Sequence, residues 1–349
     1  MDIDQAIQAH FSFIKRSIDV HGGKGSSAYF SLILHPISAW SKPYPETTGY
    51  LIPTLIQLEQ QVMLPTRNLV ESCMQWLAED VQLANGGFPS LFADNNQVSL
   101  FNSGQIALGF LAYRNSFGQK YMEAEERLVD WLRMVLESED QFIHYKQGFI
   151  PTYYTRVVWP VLALAKGHGD EQLRKSAFVL FDKLMEQMGN QSFPLFSGFE
   201  GNQAYSHTLA YTVRGLLESL SYAFNKEYEA RLFDLVEGQL VALDQAEGVL
   251  AGSYNKNWIG DFSYRCLTGE WQWVIILLKL GLQYQEERYL QYGKRLMEKA
   301  LQVQSYPKGA VYGSKPFWGK YMRFKAPNWA AKFALDALLL YKTIGNDQR

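Results

Sequence analysis

The chain is poor in residues that crosslink a protein or bind a metal. It has two cysteines among 349 residues, Cys73 and Cys266, and they form no motif. Six histidines stand at positions 10, 21, 35, 144, 168 and 207, with no close pair at the spacing of metal ligands. This scarcity excludes a disulfide-dense scaffold, favours a reduced cytoplasmic protein and predicts a site without metal or cofactor.

Charge of one sign and long apolar runs are also missing. Lys plus Arg number 33 and Asp plus Glu 35, a net charge of −2, and no basic stripe appears, so nucleic acid is not an expected partner. No uninterrupted apolar run approaches the roughly 20 residues that span a bilayer. The first residues, MDIDQAIQAHFSF, start acidic, so we expect neither a secretory signal nor a transmembrane segment. None of these features sets the oligomeric state.

Helical periodicity is what the chain has in abundance. Amphipathic stretches with charge on one side cover residues 2–20, 65–82, 118–138, 169–189, 226–246 and 284–304. Between them lie stretches that are poor in charge and apolar on most sides, opening near residues 46, 102, 154, 207, 266 and 328. A helix that is apolar all round is buried, so outer and inner helices alternate six times along the chain.

Six such hairpins predict a closed ring. The composition, 47% hydrophobic and 15% aromatic, is sufficient for a large core. The regular spacing of the buried segments is typical of an array of helical hairpins. We therefore predict an all-α fold, an (α/α)6 toroid that forms a single domain over residues 1–349. The outer-to-inner connections are long and the inner-to-outer ones are short, so the long loops and the inner-helix N-termini share one end.

Polar residues open every inner helix and should converge on a bowl at that end. For Thr47, Ser103 and Ser206, N-capping is the alternative to a role in the site, since hydroxyl groups satisfy the free N–H groups of a helix start. Capping does not explain the larger polar residues, which must pair or face a wet site. These are Glu46, Gln105, Arg156, His207 and Lys332. Helix N-termini carry partial positive charge, so the bowl should favour an anionic ligand.

The openings of the inner helices carry a family resemblance. The stretches YPETTGYLIPTL, FNSGQIALGFL, YYTRVVWPVLALA, YSHTLAYTVRGLLE, CLTGEWQWVIILL and APNWAAKFALDALL resemble the recurring motifs of a bacterial family. Its members are described as terpenoid-cyclase or prenyltransferase-like toroids and tend to occur with polysaccharide-biosynthesis genes. The resemblance runs from about residue 40 to the C-terminus. It implies the toroid and a setting in polysaccharide metabolism, and no particular reaction.

The sequence lacks the motifs with which isoprenoid cyclases and prenyltransferases carry out their reactions. The acid motif D-x-D-D of squalene–hopene cyclases has no match, since the nearest stretches are FADNN and IGDFS. Prenyltransferases bind zinc through Asp, Cys and a later His, but no histidine follows His207. An isoprenoid cyclase is therefore the third hypothesis.

The loops that lead into the inner helices are rich in aromatic residues. They carry Trp40, Tyr44, Phe92, Phe196, Tyr254, Trp258, Tyr312, Phe317, Trp318 and Tyr321. Aromatic platforms line the clefts of other toroids of this shape, among them polysaccharide lyases, uronyl epimerases, N-acylglucosamine 2-epimerases and glycosidases. A carbohydrate, anionic because of the helix N-termini, is therefore the expected partner. The predicted substrate-binding residues are Asn102, Gln105, Asn328, Lys332, Trp258, Trp318 and Tyr312.

Two reaction types suit the polar residues of the bowl. Abstraction of a proton beside a uronate carboxylate needs a base and groups that stabilise the enolate. His207, Tyr154 and Tyr211 are the candidate bases or acids. The candidate partners of the carboxylate are Arg156, Asn102 and Lys332. Hydrolysis needs two carboxylic acids, and the candidates are Glu46 and Glu270, with Asp261 as an alternative from a loop.

The leading hypothesis is a sugar-acting enzyme of bacterial polysaccharide metabolism. A lyase or an epimerase on a uronate-containing glycan fits the residue types best, and a hydrolase is the alternative within that class. A non-catalytic glycan-binding or assembly subunit that keeps the bowl as a recognition site is the main competitor from another class. An aromatic pocket without polar floor residues would favour the isoprenoid hypothesis instead.

Overall fold

Twelve α-helices account for most of the described chain. The computed structural model of the protein describes residues 2–33, 39–138, 149–199, 203–303 and 305–347, so His35 and His144 lie outside the described residues. The outer helices are α1 (Ile3–Asp19), α3 (Arg67–Gln75), α5 (Met122–Glu137), α7 (Glu171–Met188), α9 (Lys226–Gln245) and α11 (Glu287–Leu301). The inner helices are α2 (Pro45–Val62), α4 (Leu100–Phe117), α6 (Thr155–His168), α8 (Ser206–Leu220), α10 (Leu267–Tyr284) and α12 (Asn328–Asp347).

The inner helices form a closed ring. Each of α2, α4, α6, α8 and α10 packs against the next inner helix, and α12 returns to pack against α2. The outer helices cover this ring from outside, with α3 on α2, α7 on α6 and α11 on α10, while α1 packs on α12. The predicted (α/α)6 toroid is confirmed, and the predicted helices lie where the periodicity indicates them. One difference is that α3 continues as a π-helical turn over Trp76–Val81.

Glycine allows the inner helices to approach each other closely. A Cβ atom on Gly215 of α8 would lie 2.3 Å from the carbonyl carbon of Thr155 in α6. A Cβ atom on Gly49 of α2 would lie 2.5 Å from the Cα atom of Ile106 in α4. Real Cβ atoms do not tolerate these separations, so the tight ring depends on glycine at these contacts.

Short strands, which the helical periodicity does not predict, organise the long loops. They are β1 (Tyr29–Ser31), β2 (Gln203–Tyr205), β3 (Ser253–Asn255), β4 (Gly260–Asp261), β5 (Arg265–Cys266), β6 (Ser314–Lys315) and β7 (Lys325–Pro327). They pair antiparallel as β1 with β7, as β2 with β3 and β4, and as β5 with β6. Because β2, β5 and β7 lead directly into α8, α10 and α12, these ladders fix the chain where it enters the ring. They build a rim around the end at which the inner helices begin.

Candidate functional site

A cavity of about 420 Å³ lies at the end of the ring where the inner helices begin. We call it the upper cavity. It is lined by Tyr44, Glu46, Tyr50, Ser90, Leu91, Ser99, Phe101, Asn102, Tyr153, Tyr154, Phe199, His207, Thr208, Tyr211, Tyr321, Met322 and Trp329. It therefore brings together five of the predicted catalytic and substrate-binding residues, namely Glu46, Asn102, Tyr154, His207 and Tyr211. Two of the loop aromatics, Tyr44 and Tyr321, line it as well.

Glu46 is the carboxylic acid of the upper cavity. It is the second residue of α2, follows Pro45 at the helix start and is only 8% exposed. The hydroxyl of Tyr44 donates a hydrogen bond of 2.7 Å to its Oε2. Burial raises the pKa of Glu46 to about 7, because the lowering by the Tyr44 hydrogen bond and by the charge of Arg156 is smaller. Near neutral pH this group therefore exchanges between the acid and the carboxylate.

His207 takes the second position of α8, which corresponds to that of Glu46 in α2. Burial, helped by the nearby charge of Arg156 and opposed by the hydrogen bond to Gln272, lowers the pKa of His207 to about 4. Its Nδ1 lies 2.7 Å from Oε1 of Gln272. An amide oxygen only accepts, so with this amide orientation Nδ1 carries the proton and Nε2 keeps the lone pair. His207 is thus a neutral imidazole at physiological pH, held in one tautomer.

Aromatic rings form most of the wall. Phe101 packs against Tyr153 at 5.5 Å, Tyr154 at 5.4 Å and Tyr211 at 5.7 Å between ring centroids. The imidazole of His207 lies 4.3 Å from the ring of Tyr211. Such edge and tilted contacts hold each ring in place, so the wall is preformed. An aromatic wall with a few convergent polar groups is typical of a small-molecule site.

Arg156 lies beneath the upper cavity and does not line it. Its Nη2 donates to Oε1 of Gln105 at 2.9 Å, and Nε2 of Gln105 donates back to the Arg156 carbonyl at 2.8 Å. The guanidinium carbon is 5.0 Å from the centroid of the Tyr211 ring. Lys332, likewise outside the lining, forms an ion pair with Asp336 at 2.5 Å. The cations expected in the bowl therefore face a different part of the ring.

Glu270 and Asn328 are used inside the protein. The carboxylate of Glu270 is fully buried and accepts from Nε and Nη2 of Arg265 at 2.6 and 2.7 Å. Burial raises the pKa of Glu270, although Arg265 opposes this effect. Nδ2 of Asn328 donates to the hydroxyl of Ser17 at 2.5 Å. Neither residue lines the upper cavity, so Glu46 is its one carboxylic acid among the residues that the structure describes.

The three loop aromatics predicted to bind substrate also lie elsewhere. Trp258 packs its ring on Phe193 at 5.2 Å and lines a groove between outer elements. Trp318 is 54% exposed. The hydroxyl of Tyr312 accepts the backbone N–H of Tyr306 at 2.8 Å. These side chains pack or cover the loops and do not reach the upper cavity.

Sequence reasoning missed several residues of the site. Phe101, Tyr153 and Trp329 each stand next to a predicted polar residue at a helix start, and that adjacency was the available signal. Gln272, which orients His207, is a polar residue inside the apolar stretch EWQWVIILL. A polar side chain in a buried helix needs a hydrogen-bonding partner, so the position of Gln272 in an apolar stretch already indicated a role beside another polar group.

Metal and thiol chemistry have no visible basis in the described residues. Across those residues no group of three or more His, Cys, Asp or Glu side chains is arranged to hold a metal ion. Burial raises the pKa of the Cys266 thiol to about 12, which disfavours a nucleophilic thiolate. Within the same part of the chain, no helix combines the length and apolar character needed to cross a bilayer.

The fold and the cavity together define an (α/α)6 toroid with an aromatic-walled site. The structure is similar to an unsaturated glucuronyl hydrolase specific for heparin, with a TM-score of 0.74 and 13% identity over 99% of this chain and 98% of that chain. It is similar to cellobiose 2-epimerase from Bacillus thermoamylovorans, with a TM-score of 0.72 and 13% identity over 96% and 97%. A third similar structure is a novel alpha-amylase from Clostridium perfringens, with a TM-score of 0.64, 12% identity and coverage of 96% and 98%.

At these identities the likeness establishes the fold of the chain and leaves its reaction open. No family model matches the sequence, and no curated protein matches it either. The resemblance to terpenoid-cyclase or prenyltransferase-like toroids therefore stays a prediction beyond the toroid itself.

Proposed function

We propose that the protein is an enzyme that transfers protons at a sugar carbon, with the sugar bound in the upper cavity. The observation that carries this proposal is the presence in one cavity of Glu46, with a pKa of about 7, and His207, with a pKa of about 4. The raised pKa keeps Glu46 protonated and able to act as an acid, while the lowered pKa keeps His207 unprotonated and able to act as a base. The similar structures support a carbohydrate ligand, since their names include a sugar epimerase and two glycan-degrading enzymes.

In the proposed reaction His207 is the base and Glu46 is the acid. Nε2 of His207 takes the proton from the carbon next to the sugar carbonyl, while protonated Glu46 donates to the carbonyl oxygen and an enediol forms. A water molecule then delivers a proton to the opposite face of that carbon, Glu46 takes back the enediol proton and His207 releases its proton to solvent, which gives the epimer and restores both residues. Loss of a leaving group from the next carbon gives an unsaturated sugar, so the same acid and base also serve a lyase.

Tyr211 supports these steps as a hydroxyl donor. It is 4% exposed, and burial raises its pKa, so its hydroxyl keeps its proton at neutral pH. Its contact with His207, 4.3 Å between centroids, places it beside the base. We assign Tyr211 and Tyr154 to binding the sugar, together with the aromatic wall.

A neutral sugar fits the upper cavity better than a uronate. None of the described residues that line it is Lys or Arg, and Glu46 is itself acidic. A substrate carboxylate would lack a direct ion-pair partner there. A uronate substrate is the alternative, and Arg156 favours it. The positive charge of Arg156 reaches the upper cavity from below, since it lowers the pKa of both Glu46 and His207, and the same charge would attract a substrate carboxylate.

A second candidate function follows from the aromatic wall. More than half of the lining residues are Phe, Tyr or Trp, a character that also suits an apolar isoprenoid chain. The buried polar pair of Glu46 and His207 favours the sugar, because an isoprenoid would leave both groups without hydrogen-bonding partners.

The test is incubation of the purified protein with neutral and uronate-containing disaccharides in D₂O. Mass spectrometry and NMR detect deuterium at the sugar carbon for an epimerase, and absorbance detects an unsaturated product for a lyase. We expect kcat/KM to rise as His207 loses its proton near pH 4 and to fall as Glu46 loses its proton near pH 7. His207→Ala should lower turnover about a hundredfold or more while binding persists.

His10→Ala is the matched control for this substitution. His10 is equally buried, its pKa is also lowered by burial, and its Nδ1 pairs with the carbonyl of Gly309, away from the upper cavity. Thermal unfolding of both variants separates a loss of chemistry from a loss of fold. Equal effects of the two substitutions on turnover, or binding of a prenyl diphosphate in place of every sugar tested, would refute the proposal.

A further inference from the structure

A second cavity, of about 380 Å³, lies within the ring below the upper cavity. We call it the lower cavity. Its lining comes from all six inner helices, mostly from their middle and later turns, while Arg156 stands in the first turn of α6. Exposed side chains such as Gln57, Gln61 and Asn115 stand at its mouth. Tyr50 alone among the described lining residues belongs to both cavities. The ring of Tyr50 stacks on Phe333 at 5.8 Å, and Phe333 meets Tyr211 at 6.1 Å, so an aromatic layer separates the two spaces.

Four cationic side chains line the lower cavity, and they come from four different inner helices. They are Arg156 of α6, Arg214 of α8, Lys279 of α10 and Lys332 of α12. Arg156 and Arg214 both lie against the ring of Trp159, at 5.0 and 5.7 Å from its centroid. The cations therefore converge from around the ring on one space.

Their charges are only half compensated by the described residues. Glu218 pairs with both Arg214, at 2.6 Å, and Lys279. Asp336 pairs with Lys332 and also accepts the hydroxyl of Thr54 at 2.6 Å. Four cations thus face two carboxylates in this cluster. Burial lowers the pKa of Lys332, and the nearby charges of Arg156 and Arg214 lower it further, which is a sign of repulsion within the group.

Arg156 supplies an independent sign of a missing partner. Its side chain is 97% buried by area, since only 3% is exposed, and its Nε has no hydrogen-bond acceptor among the described residues. Within the described part of the chain, its side-chain hydrogen-bond acceptor is the neutral amide of Gln105. A buried guanidinium normally binds a carboxylate or a phosphate, often through two parallel hydrogen bonds. Among the described residues that acceptor is absent, while the side chain faces a cavity.

We propose that the lower cavity binds a small molecule through an oxyanion, a phosphate or a carboxylate group. Arg156, Arg214 and Lys279 hold the oxyanion, which supplies the acceptor that Arg156 lacks and offsets the excess positive charge. Trp159, Phe333 and the other apolar side chains of the wall cover the organic part of the ligand. The site is distinct from the upper cavity, and this proposal does not depend on the proposed reaction.

Isothermal titration calorimetry with three probes tests the proposal. The probes are inorganic phosphate, glucose 6-phosphate and glucuronate, titrated into the 349-residue protein. We expect at least one to bind with a Kd of about 1 mM or tighter, and its binding to weaken as salt is raised. Tighter binding of glucose 6-phosphate than of the other two identifies a phosphorylated metabolite, and tighter binding of glucuronate identifies a carboxylate.

Substitutions locate the site. Arg214→Gln and Lys279→Gln should each weaken binding about tenfold or more, because each removes a charged donor to the oxyanion. Lys279 is 32% exposed, so its substitution tests the site even where a change at a more buried position impairs folding. Arg288→Gln is the matched control, since Arg288 pairs with Glu237 on the outer surface, 53% exposed. His207→Ala, in the upper cavity, should leave anion binding unchanged.

Three results would overturn the proposal. The first is no binding of any probe by the wild-type protein up to about 10 mM. The second is unchanged affinity in folded Arg214→Gln and Lys279→Gln proteins. The third is loss of binding in His207→Ala with retention in Arg214→Gln, which would assign the anion to the upper cavity.

Discussion

At the scale of single residues, burial moves two titratable groups in opposite directions within one cavity. Burial disfavours the charged form of each group, so it raises the pKa of Glu46 and lowers the pKa of His207. Arg156, which lies beneath them, opposes the first shift and adds to the second. Both groups are therefore largely uncharged between about pH 4 and pH 7, a range in which an acid and a base coexist.

The raised pKa of Glu46 predicts a cost in stability at high pH. Between its ordinary value of 4.5 and about 7, the unfolded chain has released this proton while the folded protein still holds it. The free energy of unfolding therefore falls as pH rises through that range, by about 3 kcal/mol for this group alone. Glu46→Gln removes the dependence, so its stability relative to wild type should be greater at pH 8 than at pH 5, measured by urea unfolding.

Glu123→Gln is the control for this prediction. Glu123 is exposed in the first turn of α5, so its substitution should change stability by a similar small amount at both pH values. If the difference in the free energy of unfolding between wild type and Glu46→Gln does not vary with pH, Glu46 keeps an ordinary pKa and the prediction is wrong.

At the scale of elements, the contacts between inner helices are closer than side chains allow. Gly215 brings α8 against the backbone of α6, where an added Cβ would lie 2.3 Å from the carbonyl carbon of Thr155. Gly215→Ala should therefore separate the two helices and lower the free energy of unfolding by about 1–3 kcal/mol or more. Chemical denaturation measures the change.

Gly293→Ala is the matched substitution on an outer helix. Gly293 lies in α11, and an added Cβ would lie 3.0 Å from Cδ2 of Leu278, the end of a flexible side chain. Alanine favours the helix by roughly 0.5–1 kcal/mol over glycine, which offsets the small shift of Leu278. If Gly215→Ala and Gly293→Ala lower the free energy of unfolding equally, the close contact between α6 and α8 is not the reason for glycine at position 215.

At the scale of the whole molecule, the closed ring has no end repeat. The last inner helix, α12, packs against the first, α2, and the N-terminal helix α1 also packs on α12. Open arrays of hairpins unfold from their ends, because a terminal repeat has one neighbour. In this ring each inner helix packs against two neighbouring inner helices. Separating any two adjacent inner helices therefore exposes the apolar core that they share with the helices on either side.

We therefore predict that the chain unfolds in one cooperative transition, as a single domain over residues 1–349. Calorimetric and van't Hoff enthalpies should agree, and far-UV and near-UV circular dichroism should change together. Two resolved transitions, or loss of near-UV signal before helix content, would contradict the single domain.

The sequence by itself determined the ring and the approximate place of the site. Alternation of amphipathic and apolar segments is a local property, and it located the inner helices to within a few residues. Asymmetric loop lengths placed the helix starts at one end of the ring. Glu46, Asn102 and His207 could therefore be assigned to one cavity before any contact was known.

Only the tertiary structure decided which polar residues face that cavity. Arg156 stands at the second position of α6, as Glu46 does in α2 and His207 in α8, yet its side chain lies in the lower cavity. Each residue turns a helix by about 100°, so the direction of a side chain depends on helix rotation and depth, which neighbouring helices set through packing. Glu270 likewise pairs with Arg265, from the strand before α10, because a buried carboxylate takes the cation that the fold brings to it.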